Sequence, residues 1–133
     1  MSGYLYDTGA LIAGERGERL MWAVHRRILD QGIRPTVAST VLAQAWRGGP
    51  QAQLSRLLAG CEVGEFTEEQ ARTVGRAMGE TGAVDIVDAS VVVMAQRLAL
   101  EVLTSDPEDL GPIATALGRP RVSIRSLNDL GRR

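Results

Sequence analysis

The side chains in this chain best suited to chemistry are aspartates: Asp7, the pair Asp85 and Asp88, and Asp106 with Asp109 behind it. Carboxylates brought together repel one another unless a cation neutralises them. A donor set made only of oxygen, with no cysteine or histidine beside it, favours magnesium or manganese over zinc. Such an ion polarises a phosphate and lowers the pKa of a bound water, which is the chemistry needed to cut a phosphodiester. Side-chain nucleophiles are less well served. The one cysteine, Cys61, has no histidine pattern around it, and the one histidine, His25, sits in a charged stretch. A serine or thiol nucleophile activated by histidine therefore finds little support.

The positions of these acids depend on the elements that carry them. Gly3 to Asp7 reads as a short strand that runs into Thr8–Ala13. Leu20, Ala23, Val24 and Ile28 recur at helical spacing, which predicts a helix from Glu15 to Gln31 that ends at Gly32. Arg34 to Ala38 reads as a second strand. Ser39 or Thr40 then caps a helix carrying Val41, Leu42, Ala45 and Trp46. Gly48-Gly49-Pro50 breaks that helix and opens another through Leu54, Leu57 and Leu58. Cys61 to Phe66 is strand-like, and Thr67-Glu68-Glu69-Gln70 is a capping box for a helix to about position 80. Asp85 to Ala99 reads as a buried helix, although its β-branched residues also suit a strand. Glu101 to Thr104 is a strand, Asp106-Pro107 starts a helix that Gly118 stops, and Arg121 to Ile124 is a last strand. Alternating strands and helices imply one α/β domain over 1–133, with a mostly parallel central sheet and helices on both faces.

In such a sheet the ligand site lies beyond the carboxyl ends of the strands. Asp7 ends the first strand, Asp106 follows the Glu101–Thr104 strand, and Asp85 and Asp88 open the buried helix, so all four occupy one edge. Helix-end chemistry accounts for some of them. Asp106 before Pro107, with Asp109 three residues on, is a good helix start, and Asp85 reads as a cap. Asp88 shares its helix face with Val91, Val92 and Ala95. Asp7 follows Tyr4-Leu5-Tyr6 in a strand expected to be central, where a carboxylate needs a partner. A metal ion is the partner that accounts for Asp7, Asp88 and Asp106 together.

Composition narrows the classes. The chain has 133 residues and a net charge of -1, so bulk charge does not hold it to nucleic acid. All 15 basic residues are arginine. Codon bias accounts for the missing lysine, and the functional alternative is that arginine forks suit phosphate. A single cysteine, no apolar run of membrane-spanning length and no signal-like start imply a cytoplasmic protein with no membrane partner. Trp22 and Trp46 read as core or dimer surface, not as base-stacking platforms.

Four segments together resemble the motifs of PIN domains, in order and spacing: Asp7-Thr8-Gly9-Ala10-Leu11-Ile12, Thr40-Val41-Leu42-Ala43-Gln44-Ala45-Trp46, Asp85-Ile86-Val87-Asp88-Ala89 and Leu103-Thr104-Ser105-Asp106-Pro107. The resemblance covers essentially the whole chain and is nearest to VapC-type toxins. It implies a Mg2+- or Mn2+-dependent ribonuclease, a homodimer, and a small cognate antitoxin. It makes Asp7, Asp88 and Asp106 the catalytic and metal-holding acids. The family's second acid falls on Gln44, a neutral amide, which puts a second metal and catalysis in question. Asp85 or Asp109 could restore the missing charge. Thr8 and Ser105 sit beside ligand positions, and Arg47 is placed to reach an RNA phosphate or to end its helix. A PIN-like binding module without catalysis is the alternative, and Gln44 is its main support. Two other aspartate-based readings fail. A phosphoryl-accepting signalling domain resembles a family that requires lysine. A phosphatase with an aspartate nucleophile normally carries a second aspartate two residues on, where this chain has Gly9.

Overall fold

The computed structural model describes residues 3–83 and 85–131. The outermost ends of the expected 1–133 domain, Met1 and Ser2 at its start included, lie outside the described residues, as does Val84.

Five short strands form one parallel sheet in the order β3-β2-β1-β4-β5. The central strand β1 (Gly3–Tyr6) pairs with β2 (Thr36–Ala38) on one side and with β4 (Leu100–Thr104) on the other. Beyond them lie β3 (Glu62–Gly64) and β5 (Ile124–Ser126). Parallel neighbours need crossover connections, and helices supply them. Leu5, Tyr6, Val37, Val102 and Leu103 are fully buried, as expected of strands covered on both faces. The chain moves outward from β1 through β2 to β3, then returns to the other side of β1 for β4 and β5. The reversal puts a topological switch point at the carboxyl ends of β1 and β4, where open α/β sheets take their ligands.

The helices pack in two groups. One contains α1 (Thr8–Glu15), α2 (Arg19–Asp30) and α4 (Ala52–Ala59). The other contains α5 (Glu68–Thr81), α6 (Ile86–Leu98) and α7 (Gly111–Leu117). The short α3 (Ser39–Ala45) touches α1 and α6, and α8 (Leu127–Gly131) lies on α2. In α6 every residue from Ala89 to Ala95 is buried. A helix apolar on all sides belongs in a core, and this resolves its β-branched run as helix. Asp85 caps it as expected, accepting from the Asp88 backbone N–H at 2.9 Å.

Several expectations change. The segment after Asp7 is a helix, α1, and Asp7 is its cap. The helix expected from Glu15 begins at Arg19, because Gly17 turns the chain at φ 72° and Glu18 is extended. Neither Ser39 nor Thr40 caps α3. Ser39 Oγ accepts from the Phe66 N–H across the sheet, and Thr40 Oγ1 bonds Ser90 Oγ at 2.6 Å. Ser90 donates its own proton to the Val87 carbonyl, so Thr40 is the donor that ties α3 to α6. The Asp106-Pro107 turn is a short 3-10 helix, Pro107–Asp109, separate from α7. The last strand lies at Ile124–Ser126 instead of Arg121–Ile124, and α8 was not foreseen.

His25 is buried despite its charged neighbours in sequence. Its Nδ1 meets the Tyr6 hydroxyl at 2.8 Å and Trp22 packs edge-on against its ring. Burial pushes its pKa down, so it stays neutral inside the core. Met21 and Val24 also enter the core, and Trp22 is half-buried with its indole N–H on the Gly14 carbonyl. Of the segment Leu20–Val24, Met21 and Val24 are thus spent in the core, while Leu20 and Trp22 are half-buried and Ala23 is exposed.

Candidate functional site

The site is built where β1 and β4 end. Asp7 leaves β1 as the first residue beyond the ladder and is only 7% exposed. One carboxylate oxygen accepts from the Ala10 N–H at 2.9 Å, which caps α1, and the other accepts from the Thr104 hydroxyl. The partners that its burial calls for thus include two hydrogen-bond donors of the chain itself, Ala10 and Thr104. Burial raises the Asp7 pKa. The Thr104 and Ala10 hydrogen bonds oppose that rise, and the charge of Asp106 adds to it.

Thr104 is the residue that sequence reasoning passed over. It is fully buried at the end of β4, donates to Asp7, and accepts the backbone N–H of Asp106 at 2.9 Å. One hydroxyl therefore sets Asp7 and the turn bearing Asp106 relative to each other. The signal available in sequence was a hydroxyl residue two before an aspartate at a strand end, a common local turn. Gly9 completes the approach: a Cβ there would collide with Ser105 Oγ and stand 3.4 Å from Asp7 Oδ1. Thr104→Val keeps the shape but leaves a buried carboxylate oxygen and a backbone N–H short of a partner. The expected cost is about 1–3 kcal/mol, read as a lower denaturation midpoint, with Thr104→Ser close to wild type. An unchanged Thr104→Val midpoint would show that the hydroxyl fixes nothing.

Asp88 faces the same region from the first turn of α6. It is partly buried, and its pKa is pushed up to about 6, first by desolvation and then by the charges of Asp85, Asp109, Asp7 and Asp106. No basic group figures among these causes. Asp106 is exposed and precedes a short helix that starts at Pro107, as its sequence implies, but it makes no side-chain cap bond to that helix. Asp109, also exposed, has its pKa raised chiefly by its hydrogen bond to and the charge of Asp106. The five acids thus feel one another across the switch point. They do not close into a cage: among the described residues no three histidine, cysteine or acidic side chains are placed to hold a metal ion as they stand. The donor set nonetheless fits a hard divalent cation in its chemistry, because all its atoms are oxygens and, among the described residues, no basic group figures among the causes of the Asp88 shift.

The remaining positions fall on either side of this centre. Thr8 donates to Gln44 Oε1 at 2.6 Å, so Gln44 reaches from α3 to the residue after Asp7. Ser105 lies at the rim, exposed. Arg47 turns back on its own helix end, donating to the carbonyls of Ala43 and Trp46. That is the helix-end reading and not a preset phosphate contact. Trp46 is 41% exposed.

The sequence matches no family model, and no curated protein matches it significantly. Solved structures do. The DNA-bound VapBC complex from Salmonella typhimurium contains a chain that is 16% identical, with TM-score 0.70 over 96% of this chain and 99% of that one. VapBC2 from Rickettsia felis bound to a promoter DNA fragment gives 14% identity and TM-score 0.71 over 92% and 97%. A toxin–antitoxin complex from Klebsiella pneumoniae gives 19% and 0.68 over 94% and 98%. Similarity this complete along both chains, at identities this low, is a statement about architecture: the chain has the PIN-like fold of the VapC type.

Proposed function

We propose that this chain is a divalent-metal-dependent ribonuclease that hydrolyses RNA phosphodiesters and serves as the toxin of a toxin–antitoxin pair. The observation that carries the reading is the acid group at the switch point, where the Asp88 pKa is raised by desolvation and then by the charges of four neighbouring aspartates, and where, among the described residues, no basic group figures among the causes. The likeness to VapBC complexes supports a toxin role and an antitoxin partner.

Asp7, Asp88 and Asp106 would hold Mg2+ or Mn2+, which supplies Lewis-acid polarisation of a phosphate and an acidified water when bound. The protein's own contribution is positional. Thr104 holds Asp7 against the Asp106 turn, and the cap to Ala10 fixes its second oxygen. Asp85 and Asp109 deepen the negative field. Thr8, Ser105 and Gln44 offer uncharged hydrogen-bonding groups at the rim, within the same edge. An antitoxin would cover this edge with an arginine or an apolar segment, by charge complementarity. The homodimer and the cytoplasmic setting belong to the same proposal. Among the described residues no helix is long and apolar enough to cross a membrane.

The test is RNA cleavage by purified protein with Mg2+ or Mn2+ and then with a chelator, alongside calorimetric metal titration and a solution mass. Chelation should lower the rate by on the order of 10^3-fold, the equivalent of the several kcal/mol such an ion contributes. Cleavage that survives the chelator overturns the metal reading. The second reading, a PIN-fold binding module, is favoured by the neutral Gln44 and by the open arrangement of the acids. Metal binding without cleavage of any RNA would select it.

A further inference from the structure

Helix α3 brings Gln44 to the acid edge, and side-chain hydrogen bonds fix this short element as much as packing does. It has 7 residues and no side-chain cap, and a helix of that length is unstable alone. Of its residues, Val41 and Ala45 are buried. Three of its side chains tie it to its surroundings. Ser39 Oγ accepts from the Phe66 N–H at 3.1 Å, Gln44 Oε1 accepts from Thr8, and Thr40 Oγ1 meets Ser90 Oγ at 2.6 Å. The last of these reaches α6. Ser90 is fully buried, and it is the one polar residue in the run Ala89–Ala95. Serine is a poorer helix former than alanine, which would fill the same place with no hydroxyl to satisfy. The Ser90 hydroxyl donates to the Val87 carbonyl at 2.6 Å and so closes the turn in which Asp88 lies.

We infer that Thr40 and Ser90 are positioning residues of the acid edge: their hydrogen bond sets Gln44, on α3, against Asp88, on α6, and thereby sets the affinity of the edge for a divalent cation. The inference rests on the metal reading proposed above. Thr40 and Gln44 are four residues apart, on one face of α3 and about 6 Å apart along its axis. Thr40 pins one end of that face to the turn of α6 that holds Asp88. Gln44 pins the other end to Thr8, the residue after Asp7. Neither hydroxyl is a ligand. Groups behind the ligands govern metal affinity by orienting them.

The competing account is that packing of Val41 and Ala45 holds α3, and that the two hydroxyls merely satisfy each other. The bonds argue against it. Ser90 already donates to Val87, and Thr40 is only half-buried. Satisfaction alone therefore does not call for the pair, and its effect is to constrain α3 against α6.

The experiment follows two quantities in wild type, Thr40→Val, Thr40→Ser and Ser90→Ala, well below each melting temperature. One is hydrogen exchange of the amides from Ala43 to Trp46 in metal-free protein. The other is Mn2+ affinity by calorimetry, repeated with Gln44→Glu added to each protein. Thr40→Val keeps the branched shape and removes the donor. Its α3 amides should exchange about tenfold faster, with those in the middle of α6 unchanged. Mn2+ should bind about tenfold more weakly, the low end of what losing an orienting partner costs. The gain from Gln44→Glu should shrink to about threefold or less, the non-additivity expected of coupled sites. Ser90→Ala should behave like Thr40→Val, and carries the comparison if that variant does not fold. Thr40→Ser restores the hydroxyl and should restore both quantities. Unchanged exchange in α3 overturns the inference, because packing then holds the helix unaided. Faster exchange with Mn2+ affinity and the Gln44→Glu gain both unchanged also overturns it, and leaves the metal reading standing. If Mn2+ binds neither wild type nor Gln44→Glu, the metal reading fails and the inference falls with it.

Discussion

Asp88→Asn is expected to abolish metal-dependent RNA cleavage, by on the order of 10^3-fold or more, while making the metal-free protein more stable. The two effects have one origin. Asp88 carries a carboxylate whose pKa is raised to about 6, with desolvation as the largest cause and four like charges behind it. Its charged form is therefore less favourable in the folded chain than in the unfolded one. The linkage sign follows. A raised acid pKa means that the folded state binds more protons than the unfolded state between about 3.8 and 6, so stability from this group falls as pH rises through that window. The penalty is absent below the unfolded value and complete above the folded one. Asparagine never ionises, so the melting temperature of the variant minus that of wild type should grow from pH 4 to 6 and then level off. Adding Mg2+ or Mn2+ should reverse the order, because only wild type gains the full binding energy. A difference that is flat with pH, or an Asp88→Asn protein that cuts RNA at the wild-type rate, would reduce Asp88 to an acid in the first turn of a helix.

Much of the fold was legible because its signals are local. Gly32, Gly48-Gly49-Pro50 and Gly118 punctuate the chain, Thr67 and Asp85 cap the helices expected of them, and strands alternate with helices. From that order the parallel sheet and the shared edge of Asp7, Asp88 and Asp106 follow. What stayed hidden is tertiary. Helix α1 buries Ala10, Leu11, Ala13 and Gly14 on one face, but it is only 8 residues long and Ile12 on the other side leaves little contrast between its faces, so periodicity could not mark it. Its cap was Asp7, a residue whose type pointed equally to a ligand. His25 lies among Arg26 and Arg27 in sequence, yet the side that it shares with Met21 and Ile28 turns inward. Thr104 was invisible as a positioning residue because its role depends on a partner 97 residues away.

The candidate site divides along the same line. The sequence located the acids, since residue type and position at strand ends are enough for that. It could not say that Asp7 is already satisfied by Ala10 and Thr104, that Asp106 leaves its cap unmade, or that Arg47 folds back on Ala43 and Trp46. The Thr104 bond to Asp7 forms only once β1 and β4 are side by side, whereas the bonds of Asp7 to Ala10 and of Arg47 to Ala43 and Trp46 are local, and residue type alone does not choose between them and a ligand role.

Gln44→Glu is expected to tighten binding of Mg2+ or Mn2+ by about tenfold. Resemblance places an acid at this position, and the structure ties the amide to Thr8, the neighbour of Asp7. Glutamate has the same length, and its carboxylate oxygen can accept the same Thr8 proton, with charge assistance strengthening the bond. Gln44 is exposed, so the added charge carries little burial penalty and α3 should keep its packing. A unit charge about 5 Å from a divalent ion in water-like surroundings is worth on the order of 1–2 kcal/mol, which sets the tenfold figure. In metal-free protein the sign inverts, because a further negative charge joins acids that already raise one another's pKa, and the melting temperature should fall. Calorimetric titration and thermal melts with and without metal measure both changes. If neither moves, Gln44 does not face the aspartates and its match to the second acid is wrong. If affinity and cleavage both rise, wild type is a nuclease weakened by one missing charge. If affinity rises and no RNA is cut under any condition, the acid edge binds metal without hydrolysing phosphodiesters, and the chain acts by binding.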